Sequence, residues 1–163
     1  VASFGAFTRT SYTASQDVKN ALGHFGYLLE SLRDLDTLRP YKVRITADGE
    51  TLDGEYLFGA VANSTSIAGF LTMDPTRVII DDGLFEITLI KMPTAPMDLS
   101  RILYSLQTQQ YDDKLIHACT AARAVIHSPA AVPWTLDGEY ARGETDIIVE
   151  NLHNALRLVV NET

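Results

Sequence analysis

Between residues 14 and 35 the apolar side chains Val18, Leu22, Phe25, Leu29 and Leu32 recur at intervals of three and four. Beyond Pro40 that rhythm gives way to alternation of period two and to short β-branched runs. The first rhythm puts an apolar stripe on one side of a helix; the second puts alternate side chains on one face of a strand. Thr13 and Gln16 stand where a capping box would close the first turn, so a long helix is predicted over 14–35. Strands are predicted over 41–46, 56–62, 77–80, 84–90, 115–127, 132–136, 147–150 and 155–160. A shorter helix is predicted from Asp98, a candidate N-cap, through Leu99, Ile102, Leu103 and Leu106, after the loop holding Pro93 and Pro96. Short strands joined by turns, without a helix between each pair, predict a mostly β (α+β) fold, an antiparallel β-sandwich with two helices. At 163 residues with no low-complexity linker, one domain over 1–163 is expected.

The hexapeptide Thr-Leu-Asp-Gly-Glu-Tyr occurs twice, at 51–56 and 135–140, and further Asp-Gly steps stand at Asp48-Gly49 and Asp82-Gly83. Glycine takes positive φ without strain and aspartate tolerates it, so each step is first a turn signal. The neighbouring acids add chemistry. In Asp137-Gly138-Glu139 two carboxylates lie two apart, and they share a face if the backbone is extended or converge if it bends at the glycine. Paired carboxylates can hold a hard cation or accept a hydroxyl proton.

Thirteen basic against twenty-one acidic residues give a formal charge of −8, which argues against nucleic acid and leaves no polybasic segment for anionic headgroups. Lipid contact would therefore be mainly apolar. Cys119 is the only cysteine, so no intrachain disulfide or cysteine metal cluster can form, as suits a reducing cytoplasm; it reads as a small core residue. His24, His117, His127 and His153 show no ligand spacing, and phosphate-binding Gly loops, Gly-x-Ser-x-Gly and His-Glu-x-x-His are absent. No apolar run reaches membrane-spanning length. The first residues, beginning at Val1 without methionine, read as a piece of a longer polypeptide.

Taken in order, the helix segment with Asp17-Val18-Lys19-Asn20-Ala21-Leu22-Gly23, then Val61-Ala62-Asn63, the Gly69 loop, Pro75, Asp81-Asp82-Gly83-Leu84-Phe85 and Trp134-Thr135-Leu136-Asp137-Gly138-Glu139 carry a likeness over nearly the whole chain. The series resembles the C-terminal domain of bacterial soluble diacylglycerol kinases and related lipid kinases. The resemblance implies a β-sandwich that packs on an α/β nucleotide domain, with the active site between them. The nucleotide domain's Gly-Gly-Asp-Gly-Thr signature is absent from this sequence. The chain would then be the acceptor-side half of an ATP-dependent kinase, inactive alone and partnered by an N-terminal nucleotide-binding domain of the same polypeptide.

The resemblance also implies roles. Glu139 corresponds to the family's proton acceptor, with Asp137 in the same motif, whereas Asp53 and Glu55 of the first copy are read as exposed strand or turn residues. A structural Mg²⁺ or Ca²⁺ would be held by the Asp82 carboxylate and the carbonyls of Ile79 and Leu84, an all-oxygen set unsuited to zinc. Asp81 would serve the cleft or cap the turn. The implied reaction phosphorylates diacylglycerol, or a similar lipid alcohol at the membrane surface, to phosphatidate in phospholipid metabolism. The implied setting is cytoplasmic with peripheral membrane contact, and a homodimer through the uncovered face is a further option. Phe58, Phe70, Leu71, Trp134, Ala68 and Gly69 are candidates for an apolar cleft and equally for the core. The alternative from another class is a non-catalytic, calcium-dependent β-sandwich binding module with an aromatic platform.

Overall fold

The computed structural model describes residues 1–6, 38–67, 71–73 and 78–156. The helix predicted over 14–35 lies outside them, as do Arg77 and the end of the last predicted strand. Asp48 and Gly49 take positive φ, 45° and 95°, the pair that closes a two-residue hairpin. From that turn run β2 (Tyr41–Ala47) and β3 (Glu50–Ala62), with Tyr41 opposite Tyr56 and Ala47 opposite Glu50.

β3 spans 13 residues and changes neighbours halfway. Its first half pairs with β2, and its second half lies between β1 (Ala2–Gly5) and β6 (Phe85–Lys91). A bulge between Tyr56 and Phe58 separates the halves. Because side chains alternate across a strand, one extra residue exchanges the two faces. Leu52 and Tyr56 point to one core before the bulge and Val61 after it, while Phe58, Ala60 and Ala62 turn to the other.

β7 (Ile116–Ala121) flanks β6, and β8 (Arg123–His127) joins β2 to β11 (Asp146–Glu150). β9 (Trp134–Leu136) and β10 (Glu139–Ala141) extend the sheet past β1. These nine strands form one antiparallel sheet, beside a small ladder of β4 (Ser66–Ile67) and β5 (Leu71–Thr72). One core joins Val43, Ile45, Ala124 and Ile126 from one half to Phe4, Ile87, Leu89 and Trp134 from the other. The halves therefore face each other in the manner of a sandwich, but as one continuous sheet folded over through β3. On the opposite face α1 (Pro96–Thr108) lays Leu99, Ile102 and Leu106 on Phe58, Ala60, Ile90 and Ile116.

Among the described residues α1 is the only helix, and none is long and apolar enough to cross a membrane. It begins earlier than its sequence suggests: Ala95 is the N-cap, and Asp98 sits in the first turn. The Asp98 carboxylate reaches back to accept the Thr94 hydroxyl (2.8 Å) and the N–H groups of Thr94 (3.0 Å) and Ala95 (3.1 Å). Those bonds, the Thr94 hydroxyl first, hold its carboxyl below the usual aspartate range. The predicted strand over 115–127 is two, divided at Ala122, whose N–H donates to Asp48 Oδ2 at 2.9 Å. Residues 78–80 are loop rather than strand, with Ile79 and Ile80 exposed, and 155–156 are not strand either. β1 escapes sequence reading because four residues are too few to show a period.

Candidate active site

The two copies of the hexapeptide adopt different structures. In the second, Asp137 (φ 47°) and Gly138 (φ 92°) close the β9–β10 hairpin. In the first, Asp53 and Gly54 lie straight within β3, so the turn signal there is overridden. Asp53 is paired across the ladder with Arg44 (2.6 Å) and Glu55 with Lys42 (3.5 Å), exposed strand residues on the β2–β3 ribbon.

At the second copy the bend gives the two carboxylates different surroundings. Asp137 is turned onto the start of β1: its N–H donates to the Val1 carbonyl (2.8 Å). Glu139 steps onto β10 opposite Leu136, exposed, with no hydrogen bond to its side chain from the described residues. Leu136 and Tyr140 flank it and are 50% and 58% exposed. An exposed carboxylate such as Glu139, open to an incoming hydroxyl, can accept its proton.

The second Asp-Gly turn lies at the same end of the sheet. The antiparallel register aligns Leu136 with Ala2, Ala2 with Val61 and Val61 with Ile87. The chain leaving β6 backwards from Ile87 therefore emerges on the hairpin's side, three strands and roughly 14 Å across the sheet. Asp82 Oδ1 accepts the Leu84 N–H (2.8 Å), and the Asp82 N–H reaches the Ile79 carbonyl at 3.5 Å. The Leu84 carbonyl accepts the Asn151 amide at 2.7 Å. Gly83 (φ 82°) closes the turn against His153, whose ring nitrogen would stand 3.1 Å from a Cβ at that position. The three residues that the resemblance assigns to a metal thus share one turn, tied to β3 by Asn63 Nδ2 donating to the Ile80 carbonyl (2.8 Å).

Other candidates do not gather. Phe58 and Leu71 are fully buried and Trp134 is 5% exposed, all core rather than cleft. Ala68, Gly69 and Phe70 lie outside the described residues. His127 pairs with Asp146 (2.7 Å), and no cluster of His, Cys, Asp or Glu fit for a metal occurs among the described residues. Cys119 is half-buried, and burial pushes its thiol above the ordinary range.

Sequence reading passed over Glu86, although an acid between Phe85 and Ile87 in an apolar strand is itself a signal. It is 3% exposed, and its Oε2 has no partner. Burial first, then repulsion from Asp82, raises its carboxyl above 4.5, against partial relief from backbone N–H groups. A raised folded value stabilises the fold most below the unfolded value, and that contribution is lost as pH rises through the folded value. Glu86→Gln has no proton to lose. Its melting temperature relative to wild type should therefore climb as pH rises above the ordinary glutamate range, and a pH-independent difference would contradict the shift.

The folded-over sheet is a sandwich-like domain, and its sequence matches the C-terminal domain of lipid kinases. The chain belongs to the family of the YegS C-terminal NAD kinase beta sandwich-like domain, whose model matches residues 1–160. It is 27% identical over 140 residues to the diacylglycerol kinase of Bacillus subtilis, covering 86% of this chain and 46% of that protein. It is 30% identical over 157 residues to the probable lipid kinase YegS of Salmonella arizonae, covering 96% and 50%. A solved diacylglycerol kinase chain from Bacillus anthracis shares the fold with a TM-score of 0.51 at 18% identity, over 79% of this chain and 44% of that one. A second solved chain from that organism aligns at 0.61 and 19%, over 94% and 51%. The chain spans about half the length of the curated relatives it matches.

Proposed function

We propose that this chain is the acceptor-side half of a lipid kinase. With a nucleotide-binding domain of the same polypeptide it moves the γ-phosphoryl group of ATP to the hydroxyl of diacylglycerol or a similar lipid alcohol. The observation that supports this best is the hairpin of the second hexapeptide, which leaves Glu139 open at the sheet end while the Asp137 N–H ties the turn to β1. In-line transfer needs the acceptor oxygen oriented and its proton accepted, and the phosphate charge is met by the nucleotide side. Glu139 accepts the proton, and Asp137 fixes the turn that aims it. The chain alone is inactive in this reading, since it has no phosphate-cradling loop. The setting is cytoplasmic, with peripheral contact at a membrane surface from which the lipid is drawn.

The test is the full-length polypeptide with radiolabelled ATP, Mg²⁺ and dioctanoylglycerol in mixed micelles. Labelled dioctanoyl phosphatidate is expected; no transfer to this or any other lipid alcohol would reject the reading.

The Asp82 turn fits a hard cation. Its oxygens are one carboxylate and two carbonyls, and each carbonyl keeps a lone pair beyond its present hydrogen bond. Asp82, Ile79 and Leu84 would hold Mg²⁺ or Ca²⁺ as a brace for the loop, remote from the transfer step. A ligand that binds only the folded state raises stability with concentration. Millimolar Ca²⁺ or Mg²⁺ should therefore raise the melting temperature of wild type and leave Asp82→Asn unmoved. Equal shifts in both proteins would remove the site.

A further inference from the structure

The large sheet ends on three strands, β10, β11 and β7, each with one neighbour among the described residues. An end strand offers a row of unpaired N–H and C=O groups, and proteins blunt such rows with charged side chains, proline or a bulge. β10 carries Glu139, and β11 carries Asp146 and Glu150. β7 has none of these devices. Its sequence, Ile-His-Ala-Cys-Thr-Ala, holds no proline, Asp, Glu, Lys or Arg, and its register with β6 is unbroken from Phe85 opposite Ala121 to Ile90 opposite Ile116.

The phase of the ladder decides which backbone groups of β7 are open. The Lys91 N–H donates to the Leu115 carbonyl (2.9 Å) on the β7 side, and the Met92 N–H donates to the Glu55 carbonyl (3.0 Å) on the other. Hydrogen-bonded and non-bonded pairs alternate along an antiparallel ladder. The backbone groups of His117, Cys119 and Ala121 therefore face β6, and those of Ile116, Ala118 and Thr120 point away from it. The Ile116 N–H is taken by the Asp112 carbonyl at 2.8 Å. Ala118 and Thr120 are exposed, and no backbone partner meets them among the described residues.

We propose that β7 pairs with β7 of a second copy of this chain, antiparallel about a two-fold axis at Cys119, so that two sheets join into one. In that register Ala118 stands opposite Thr120 of the other copy, and the two exchange both bonds, four in the whole interface. A shift of one residue would set open groups against groups that face β6. A shift of two would leave a carbonyl of Ala118 or Thr120 facing an N–H already spent on Asp112 or Asp48. The flanks favour the same orientation. Asp112, Asp113 and Lys114, two acids and one base, precede the strand and Arg123 follows it, so antiparallel copies set acid near base at both ends. A strand of another protein would meet the same backbone groups without these matched flanks. β7 lies four strand spacings from β9, roughly 19 Å, so the pairing leaves the Glu139 hairpin open and stands independently of the kinase reading.

The test is sedimentation equilibrium of the full-length polypeptide, with residue-resolved amide exchange at the same concentrations. An interface this small belongs to the weak associations, so monomer is expected at about 1 µM and mostly dimer at about 200 µM. Exchange at the Ala118 and Thr120 amides should slow at least about 10-fold between those concentrations, while Cys119, bonded to β6 in both forms, should change little. Ala118→Pro removes an N–H that the β6 ladder does not use, and proline is tolerated on an end strand in that position. It should keep the melting temperature of monomeric wild type and raise the dissociation constant about 10-fold or more, whereas Ala118→Val, which retains the N–H, should leave the dimer in place. If Ala118→Pro folds poorly, the exchange pattern of wild type decides alone. Wild type that stays monomeric at the higher concentration overturns the proposal. So does a dimer whose Ala118 and Thr120 amides stay fast, or one that a folded Ala118→Pro leaves intact.

Discussion

Glu139→Gln in the full-length polypeptide should lower turnover on diacylglycerol by about 10²- to 10⁴-fold with little change in nucleotide affinity. The substitution keeps the shape of the side chain on β10 and removes only its capacity to accept a proton. Glu55→Gln is the internal control, because it changes the same residue in the same hexapeptide. Glu55 lies on the β2–β3 ribbon, where it meets Lys42 at 3.5 Å with both side chains largely exposed. An exposed pair of this kind contributes little, so Glu55→Gln should leave the rate unchanged. Saturating lipid and ATP, with chemistry rate-limiting, are the conditions of the measurement. Equal rates for wild type and Glu139→Gln would remove the proton-accepting role, and a large loss at Glu55 would transfer it to the other copy.

Phe4→Ala should cost about 3–5 kcal/mol in urea unfolding, the range for truncating a fully buried aromatic ring. Phe4 is 1% exposed and lies where the two halves of the sheet meet. Its ring stands edge-on to Trp134 (5.1 Å, 61°) and to Tyr41 (5.9 Å, 63°). It also fills the space over Gly59, where a Cβ would come within 2.3 Å of it. Domains are stable by only about 5–15 kcal/mol, so this loss would leave Phe4→Ala marginal. Phe4→Leu, which keeps most of the volume, should cost clearly less. A loss below about 1 kcal/mol for Phe4→Ala would mean that the halves do not share this core. Trp134 begins the strand that carries the hairpin, so loosening Phe4 should also loosen the aim of Glu139.

Much of the architecture is legible in the pattern of side chains. Alternation marked β2 and β11, which turn apolar residues to one core at period two, and short apolar runs marked the second half of β3 and β6, which are buried on both faces, to within a few residues. Turn chemistry marked Asp48-Gly49 and Asp137-Gly138, where positive φ is required. The limits of the elements were less legible: α1 starts before Asp98 because the aspartate reaches back from the first turn, and 115–127 breaks where Asp48, 74 residues away, binds the Ala122 N–H. Glu86 looks like an ordinary strand acid until both faces of the sheet are covered.

The duplicated hexapeptide separates what the chain determines locally from what folding decides. Six identical residues carry one set of local preferences, and those preferences favour a turn at both Asp-Gly steps. At 53–54 the turn is refused, because the hairpin at 48–49 has already set the register. An unbroken ladder with β2 then holds the segment straight and pairs Asp53 with Arg44. At 137–138 it forms, with Asp137 and Gly138 at positive φ and the chain returning along β9 as β10. The residues by themselves supplied two equivalent pairs of acids and the strands to carry them. Strand pairing between distant segments decided which glutamate became a rung of a ladder and which was left open at the end of the sheet.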